Sequence, residues 1–193
     1  MNNKILKNTL ILTIITLIAG FALGFVYEIT KDPIAQAQDA AKKEAWQAVF
    51  PEASLDDFEQ IDVDQKAAEE AVKVMGVNAT IDEVCKVGED GYVITTTDKE
   101  GYGGDIQITV GITADGTVNG VSILSISETA GLGMRATDPS FYGQYQGKQA
   151  EKFYVSKDGG DGEPIDALSG ATITSRAMTG AVNAALGYFQ NAF

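Results

Sequence analysis

The sequence predicts an α+β fold, in which an antiparallel sheet with flanking helices follows one N-terminal transmembrane helix. Residues 8–27 form a continuous uncharged run. Between residues 81 and 126, apolar and polar or small residues alternate with the period of two that is typical of half-buried strands. After residue 175 the chain is apolar and rich in alanine, which favours a C-terminal helix. The 193 residues suffice for one domain with a core plus an anchor, but not for two large domains.

The uncharged run predicts a membrane anchor. Its 20 residues are enough to cross the hydrocarbon core of a bilayer, and its only polar side chains are those of Asn8, Thr9, Thr13 and Thr16. A cleaved signal peptide is the alternative, because Ala-Gln-Ala at residues 35–37 imitates a cleavage site. The run is longer than the apolar core of a usual signal peptide, and the candidate site lies well beyond it. We therefore favour an uncleaved anchor.

The charges on either side of the anchor predict its orientation. Lys4 and Lys7 precede the run, and Glu28 follows it closely. Positively charged flanks stay in the cytoplasm. We therefore expect residues 1–7 to be cytoplasmic and the domain behind the anchor to lie outside the cytoplasm.

Two helices are predicted in a membrane-proximal segment, residues 28–78. The pair Asp32-Pro33 is expected to end the membrane helix, because proline lacks the backbone N–H that a helix needs. Residues 34–50 then have the composition of a helix. Residues 65–75 form a second short helix, which Gly76 closes.

Four antiparallel strands are predicted, at residues 81–87, 92–97, 106–112 and 117–126. Ala114, Asp115 and Gly116 provide the turn between the last two strands. Gly120 indicates a bulge or a close backbone approach within the fourth.

The region between the strands and the C-terminal helix is predicted to be mixed. Residues 138–148 are expected to form a short helix rich in aromatic residues, and residues 152–156 a further strand. Residues 158–162, Asp-Gly-Gly-Asp-Gly, predict a solvated hairpin turn. A calcium loop is disfavoured, since the spacing lacks the alternating oxygen ligands and final glutamate of an EF-hand.

A turn of small and hydroxyl residues precedes the C-terminal helix. Gly170 and Ala171 allow a ligand to approach the backbone closely, and the N–H groups and dipole at a helix start favour a negative group beside Thr172 and Thr174. We expect Thr172 to lie just before the helix and Thr174 near its N-cap. The pattern is typical of a phosphate site.

The seven residues from Asp166 to Thr172, DALSGAT, match the D-x-x-[ST]-G-A-T signature of the FMN-binding domain family. The resemblance implies that FMN is attached to Thr172 through a phosphoester bond. It also implies a separate flavin transferase for attachment, since the chain has no histidine to deprotonate the threonine. The positions that this transferase would recognise are Asp166, Ser169, Gly170, Ala171 and Thr172, and those that would contact the cofactor here are Ser169, Gly170, Ala171 and Thr174.

A second element supports the resemblance. Residues 128–133, Glu-Thr-Ala-Gly-Leu-Gly, resemble the E-T-P-G-L-G element of the same family, with Ala130 in place of the proline. The family packs this element against the flavin ring, which implies cofactor contacts for Glu128, Thr129, Gly131, Leu132 and Gly133. Upstream, Tyr102 stands between glycines as an aromatic residue does in the family. It is interpreted either as a flank of the ring or as an aromatic cover for the core edge.

Composition limits the chemistry. With no histidine and one cysteine, Cys85, the chain has too few ligands for a His-ligated haem, an iron–sulfur cluster or a thiolate zinc site, and we predict no metal site and no catalytic residue. A net charge of −13 argues against nucleic-acid binding. Cys85 is expected to be a buried strand thiol. Trp46 is interpreted as a packing residue, with a membrane-interface anchor as the alternative.

Within the family, the chain most resembles the G subunits of the Rnf electron-transport complex, and residues 79–193 would be its extracytoplasmic FMN-binding domain. This implies an electron-relay subunit in a membrane complex that couples ferredoxin:NAD⁺ electron transfer to Na⁺ or H⁺ translocation. The implied partners are polytopic ion-path subunits, a second flavin subunit and iron–sulfur subunits. Three alternatives stay open: a C subunit of a sodium-pumping NADH:quinone reductase, a stand-alone extracytoplasmic flavoprotein, and a flavin-free structural module in which residues 169–175 only cap a helix.

Overall fold

The structure is a computed structural model and describes residues 3–193. The chain divides into two units, the part of the N-terminal helix up to Ala41 and a folded unit from Lys42 to Phe193. Its helices are α1 (Asn3–Val49), α2 (Gln65–Met75), α3 (Pro139–Tyr142) and α4 (Thr172–Ala192). Its strands are β1 (Phe58–Ile61), β2 (Ala79–Val87), β3 (Gly91–Asp98), β4 (Ile106–Thr113), β5 (Thr117–Ser125), β6 (Lys148–Gln149), β7 (Phe153–Val155) and β8 (Glu163–Ile165).

Helix α1 is the one helix among residues 3–193 that is long and apolar enough to cross a membrane. Two threonines of the uncharged run donate their hydroxyls to carbonyls within the helix: Thr13 to that of Thr9 and Thr16 to that of Thr13, both at 2.9 Å. The expected break at Asp32-Pro33 is wrong, since α1 continues through Pro33 to Val49. Proline removes one helical hydrogen bond, and the alanine-rich sequence that follows is a strong helix former on its C-terminal side.

The main sheet confirms the predicted antiparallel fold. Six strands follow one another in the order β1-β2-β3-β4-β5-β6, and every neighbouring pair is antiparallel. The four predicted strands correspond to β2 to β5. Gly120 lies opposite Gly111 beside a register irregularity, so the expected bulge is present there. The outer strands β1 and β6 have four and two residues and were not predicted.

Helices α2 and α4 cover one face of this sheet. Apart from Arg176, every residue of α4 from Thr174 to Tyr188 is buried, and the inward side chains of β2 to β5 complete the core. The predicted bounds and cap of α2 are confirmed: Asp64 accepts hydrogen bonds at its start, and Gly76 ends it in the left-handed conformation.

The last turns of α1, from Lys42 onward, lie on the other face. Val49 and Phe50 pack there with Cys85, which is fully buried as expected. Trp46 stacks on Phe58 with ring centroids 5.6 Å apart, which supports its interpretation as a packing residue. Burial, with the nearby Glu83 carboxylate adding to it, raises the pKa of the Cys85 thiol to about 12.

Two expectations for the region after the sheet are wrong in detail. The helix predicted at residues 138–148 is only the short α3, because the N–H groups of residues 144–146 donate to carbonyls three residues back, in turns, instead of continuing the α-helical pattern. Gly147 then adopts a left-handed conformation and donates to the Val118 carbonyl at 2.8 Å. That bond turns the chain back to the sheet edge, where it forms β6.

The hairpin turn predicted at residues 158–162 is instead a crossover, because β7 and β8 are parallel. The amide of Asn183, on α4, bonds to both the N–H and the carbonyl of Phe153, at 2.8 and 2.9 Å. This side-chain pairing holds one edge of β7 against the helix, and β8 pairs with β7 in parallel.

Candidate functional site

The start of α4 is open. Thr172 is its first residue, and Ala171, in the N-cap position, makes no side-chain capping bond. This corrects the expectation for the two threonines: Thr172 lies inside the first turn rather than before it, and Thr174 is the third helical residue, not the cap. The first N–H groups of a helix have no partner within it, so they are available to a ligand here.

A serine in the same turn fixes the loop that leads into the helix. The Ser175 hydroxyl accepts a hydrogen bond from the Leu168 N–H and donates to the Ala171 carbonyl, both at 2.9 Å. These bonds hold the backbone of Ser169 and Gly170 at the surface, one turn before the helix. Sequence reasoning gave Ser175 no role, although a hydroxyl residue three positions after a motif threonine is a recognisable signal.

Asp166, the first residue of the DALSGAT motif, is exposed. Its carboxylate accepts a hydrogen bond from the Ser156 hydroxyl at 3.1 Å, and its backbone is held by Gln144, whose side-chain oxygen accepts from the Asp166 N–H at 2.7 Å. The first residue of the DALSGAT motif is therefore fixed in place and accessible to another protein.

The second motif forms a closed turn after β5. The Thr129 carbonyl accepts hydrogen bonds from the N–H groups of Leu132 and Met134, both at 3.1 Å. Gly131 supplies the left-handed conformation that the turn requires, with a φ of 76°. The turn is thus closed without the proline that the family pattern has at the position of Ala130.

Glu128 lies at the base of this turn and is only 8% exposed. Its Oε1 accepts a hydrogen bond from the Gly103 N–H at 3.2 Å. A Cβ on Gly133 would lie 2.6 Å from both Glu128 Oε2 and Thr174 Oγ1. Glycine is therefore needed at position 133 to let these two oxygens share one site.

The two motifs meet at a cavity of about 330 Å³. Its lining consists of Tyr102, Glu128, Thr129, Leu132, Gly133, Gly170, Ala171 and Thr174, all of them predicted cofactor contacts. Tyr102 is 71% exposed and Leu132 45%, whereas Thr174 is 1% exposed at the inner end. Gly131, Ser169 and the half-buried Thr172 lie beside the cavity in sequence but are not part of its lining.

An ion pair follows the open helix start. Arg176, the only charged residue of α4, makes a two-point contact with Asp158, and its Nε lies 2.7 Å from Oδ2. The guanidinium holds the pKa of the Asp158 carboxyl below its usual range. This pair ties residues 158–162 to the second turn of α4, and sequence reasoning did not anticipate it.

Known proteins match both parts of the chain. Residues 101–187 match the FMN-binding domain, and residues 1–49 match the RnfG N-terminal region. The G subunit of a proton-translocating ferredoxin:NAD(+) oxidoreductase complex from Clostridium ljungdahlii is 35% identical, over 95% of this chain and 91% of that protein. The G subunit of the Na(+)-translocating complex from Acetobacterium woodii is 33% identical, over 97% and 92%.

The chain belongs to the family of G subunits of ion-translocating oxidoreductase complexes. A solved structure of NqrC from Shewanella oneidensis is 29% identical, with a TM-score of 0.44, over 56% of this chain and 58% of that one.

The site at the start of α4 fits FMN. Exposed Tyr102 and Leu132 offer apolar surface to a flat ring, and the open helix start favours an anionic group. A cavity of about 330 Å³ is at the small end of ligand pockets, so part of the cofactor would stay exposed. Exposure of that kind suits a group that exchanges electrons with another protein.

Proposed function

We propose that this chain is the covalent-FMN electron-relay subunit of a membrane complex that couples ferredoxin:NAD⁺ electron transfer to Na⁺ or H⁺ translocation. The observation that carries the proposal is the cavity in which both predicted motifs meet, beside the open start of α4. The names of the similar G subunits, one proton-translocating and one Na⁺-translocating, support the complex and leave both coupling ions open. The chain would act as one subunit of an oxidoreductase and not as an enzyme alone.

Thr172 is the proposed attachment residue. Its side chain is half-buried, whereas that of Thr174 is almost completely enclosed. A phosphoester on the first residue of α4 would place a negative group at the positive end of the helix dipole, beside unpaired N–H groups. Position and charge therefore favour Thr172 over Thr174.

The remaining site residues have distinct proposed roles. The bound FMN would supply the one- or two-electron chemistry. Tyr102 and Leu132 would cover the ring, the turn at residues 129–133 would form its wall, and the backbone of residues 169–171 would face the phosphate. Attachment prevents the cofactor from diffusing away.

Maturation would require a flavin transferase. The chain has no histidine that could deprotonate Thr172. The exposed and anchored carboxylate of Asp166 is suited to recognition by such an enzyme, together with Ser169, Gly170 and Ala171.

The ion path is assigned to partner subunits. Residues 8–27 contain no charged residue, and their threonine hydroxyls at positions 13 and 16 donate to carbonyls of α1 itself. The proposed partners are polytopic ion-path subunits, a second flavin subunit and iron–sulfur subunits. Co-purification of these subunits with the chain from its own host would support the proposal, whereas recovery of the chain alone would favour a stand-alone flavoprotein.

The attachment site is tested with Thr172→Val in protein produced beside its transferase. The variant should lose in-gel flavin fluorescence and the mass of one FMN, because valine has no hydroxyl to esterify. Thr174→Val is the matched control and should keep both, since it removes a hydroxyl from the same turn. Fluorescence that survives Thr172→Val would refute the assignment. A wild-type chain without flavin would instead favour the alternative of a flavin-free structural module.

The proposed orientation places residues 28–193 outside the cytoplasm. A cysteine introduced at the exposed Asp161 should react with a membrane-impermeant reagent in intact cells. Cys85 provides the background control, because its buried thiol has a pKa raised to about 12 and should not react in the folded protein. Labelling that appears only after lysis would reverse the topology.

A further inference from the structure

A closed turn at residues 168–171 lies just before the proposed attachment residue. The Leu168 carbonyl accepts a hydrogen bond from the Ala171 N–H at 3.1 Å. Gly170, the third residue of the turn, has a φ of 79°, in the left-handed region that glycine adopts without strain. Leu168 and Ala171 are buried at the two ends of the turn, whereas Ser169 and Gly170 are exposed at its corners. The turn therefore presents these two motif residues to another protein.

One buried hydroxyl holds both ends of this turn. Ser175 is completely enclosed, and its Oγ accepts from the Leu168 N–H and donates to the Ala171 carbonyl, each at 2.9 Å. The bond to Ala171, four residues back, is common for a serine inside a helix. The bond from Leu168 is different, because it joins α4 to a residue seven positions earlier, outside the helix. Ser175 thus fastens the turn to the start of α4.

Thr179, one turn further along α4, has a buried hydroxyl that serves the interior of the domain. Its Oγ1 donates to the Ser175 carbonyl at 2.8 Å and lies 2.9 Å from the Tyr145 hydroxyl oxygen. Thr179 is 4% exposed and Tyr145 is completely buried. The two hydroxyls of α4 thus resemble each other in burial and in their bond to the preceding turn of the helix. They differ in their second partner, which is a surface turn for Ser175 and a core side chain for Thr179.

We propose that Ser175 is a positioning residue for flavin attachment, because its hydroxyl keeps the turn at residues 168–171 formed before the transferase binds. The inference depends on the proposed function, since it requires a transferase that attaches FMN to Thr172. A turn that is already formed needs no ordering when the enzyme binds, whereas a turn that is formed only part of the time lowers the apparent affinity by that fraction. Loss of the hydroxyl therefore weakens binding of the chain without slowing the chemical step.

The chemical step itself takes place at Thr172. Free FMN has a poor leaving group on its phosphate, so the donor is a flavin dinucleotide, in which a phosphoanhydride joins FMN to a second nucleotide. The Thr172 oxygen forms the new bond to phosphorus, the anhydride bond breaks, and the second nucleotide leaves as its monophosphate. The hydroxyl proton passes to a base on the transferase, because this chain has no histidine to accept it. Ser175 takes no part in these bonds and acts only through the turn.

The test is the rate of flavin attachment to the full chain in detergent, produced without flavin and incubated with the transferase of its host and flavin adenine dinucleotide. Ser175→Ala should raise the KM for the chain about tenfold, as expected for the loss of one or two buried hydrogen bonds, and leave kcat nearly unchanged. Ser175→Thr keeps the hydroxyl and should restore the wild-type KM. Thr179→Val is the matched control: it should lower the melting temperature, because it removes a buried hydroxyl one turn away, but keep the wild-type KM.

A second variant carries the test if Ser175→Ala does not fold. Ser175→Cys retains a side chain of similar shape whose thiol bonds only weakly, so its KM should lie between those of the wild type and Ser175→Ala. Hydrogen exchange of the flavin-free chain follows the turn directly. The Leu168 amide should exchange faster in Ser175→Cys than in the wild type, and at the wild-type rate in Thr179→Val.

The outcomes distinguish this inference from the proposed function. A wild-type KM in Ser175→Cys, with faster exchange at Leu168, overturns the role of Ser175 and leaves the function standing. An equal rise of KM in Thr179→Val also overturns it, because the effect would then follow overall stability. An altered flavin spectrum with an unchanged KM would do the same, since Ser175 would then act on the bound cofactor. A wild-type chain that accepts no flavin would refute the proposed function itself.

Discussion

The end of α1 and the start of α4 both have backbone groups that lack a partner within their own helix. Another part of the folded unit supplies a partner at the end of α1, whereas no side chain does so at the start of α4. At the end of α1 the Asn119 amide donates to the Val49 carbonyl at 2.6 Å, and Val49 is enclosed by Gly111 and Gly120. At the start of α4 no side chain caps the helix. A terminus with a purely structural role has its polar groups satisfied from within, whereas an open terminus keeps them for a ligand.

The largest effect is expected from closing the space around Val49. A Cβ on Gly111 would lie 2.8 Å from Val49 Cβ and 3.0 Å from its carbonyl oxygen. Gly111→Val should therefore cost about 3 kcal/mol or more of the free energy of unfolding, measured by denaturant titration. Gly120→Ala should cost less, since the nearest atom to its Cβ would be Val49 Cα at 3.3 Å. The two variants should carry the same amount of flavin per folded chain, and a difference would contradict separate roles for the two helix ends.

The middle of α4 provides a test that is independent of both ends. Asp98 is buried against Gly180 of this helix, and burial raises the pKa of its carboxyl from 3.8 to about 6. The folded state binds the proton more tightly than the unfolded state does, so stability falls as the pH rises from about 4 to 6. Asp98→Asn should remove this fall and stabilise the protein by roughly 1–3 kcal/mol at pH 7, because asparagine can still accept from the Glu100 N–H.

That prediction is checked by melting temperatures between pH 4.5 and 7.5. Relative to the curve of Asp98→Asn, the wild-type curve should decline from pH 4.5 to about 6 and level off above that. Parallel curves would show that Asp98 does not titrate differently in the folded and unfolded states.

A smaller effect is expected from removing the cap of α1. Asn119→Ala leaves the partly buried Val49 carbonyl without its side-chain donor and should cost about 1 kcal/mol. Flavin fluorescence per chain should stay at the wild-type level, because the substitution lies outside the cavity. A loss of flavin would show that the two helix ends are coupled.

The smallest change in stability is expected at the exposed rim of the cavity. Leu132→Asp should alter the free energy of unfolding by no more than about 0.5 kcal/mol, since Leu132 is 45% exposed at the rim of the cavity. It should leave flavin stoichiometry nearly unchanged, yet shift the flavin absorbance or potential by exposing the ring to water and charge. An unaltered spectrum and potential would make Leu132 an ordinary turn residue.

The sequence predicts the parts of this fold that local patterns determine. The alternating strands, the bounds of α2 and its Gly76 cap follow from neighbouring residues alone. The parallel pairing of β7 with β8 does not, because it joins segments on either side of the turn at residues 158–162, and β7 is held in place by Asn183, 30 residues beyond Phe153. Continuation of α1 through Pro33 likewise depends on the helix formers around it rather than on the proline.

The same limit applies to the site. Its motifs identify every residue that lines the cavity, because each motif is a short local segment. They do not reveal that Ser175 fixes the loop before α4, that Arg176 pairs with Asp158, or that Glu128 is buried and accepts a hydrogen bond from the Gly103 N–H. Burial and pairing are properties of the folded chain, and residue type alone does not specify them.

The chain carries its own optical reporter at the end of α1. Trp46 is the single tryptophan of the chain, and its indole N–H is buried without a hydrogen-bond partner among residues 3–193. An indole that is partly buried and stacked on Phe58 emits at shorter wavelength than one in water. If the last turns of α1 detach from the sheet, the emission should move to longer wavelength. In one sample, tryptophan emission would then report on the end of α1 and flavin emission, at a longer wavelength, on the start of α4.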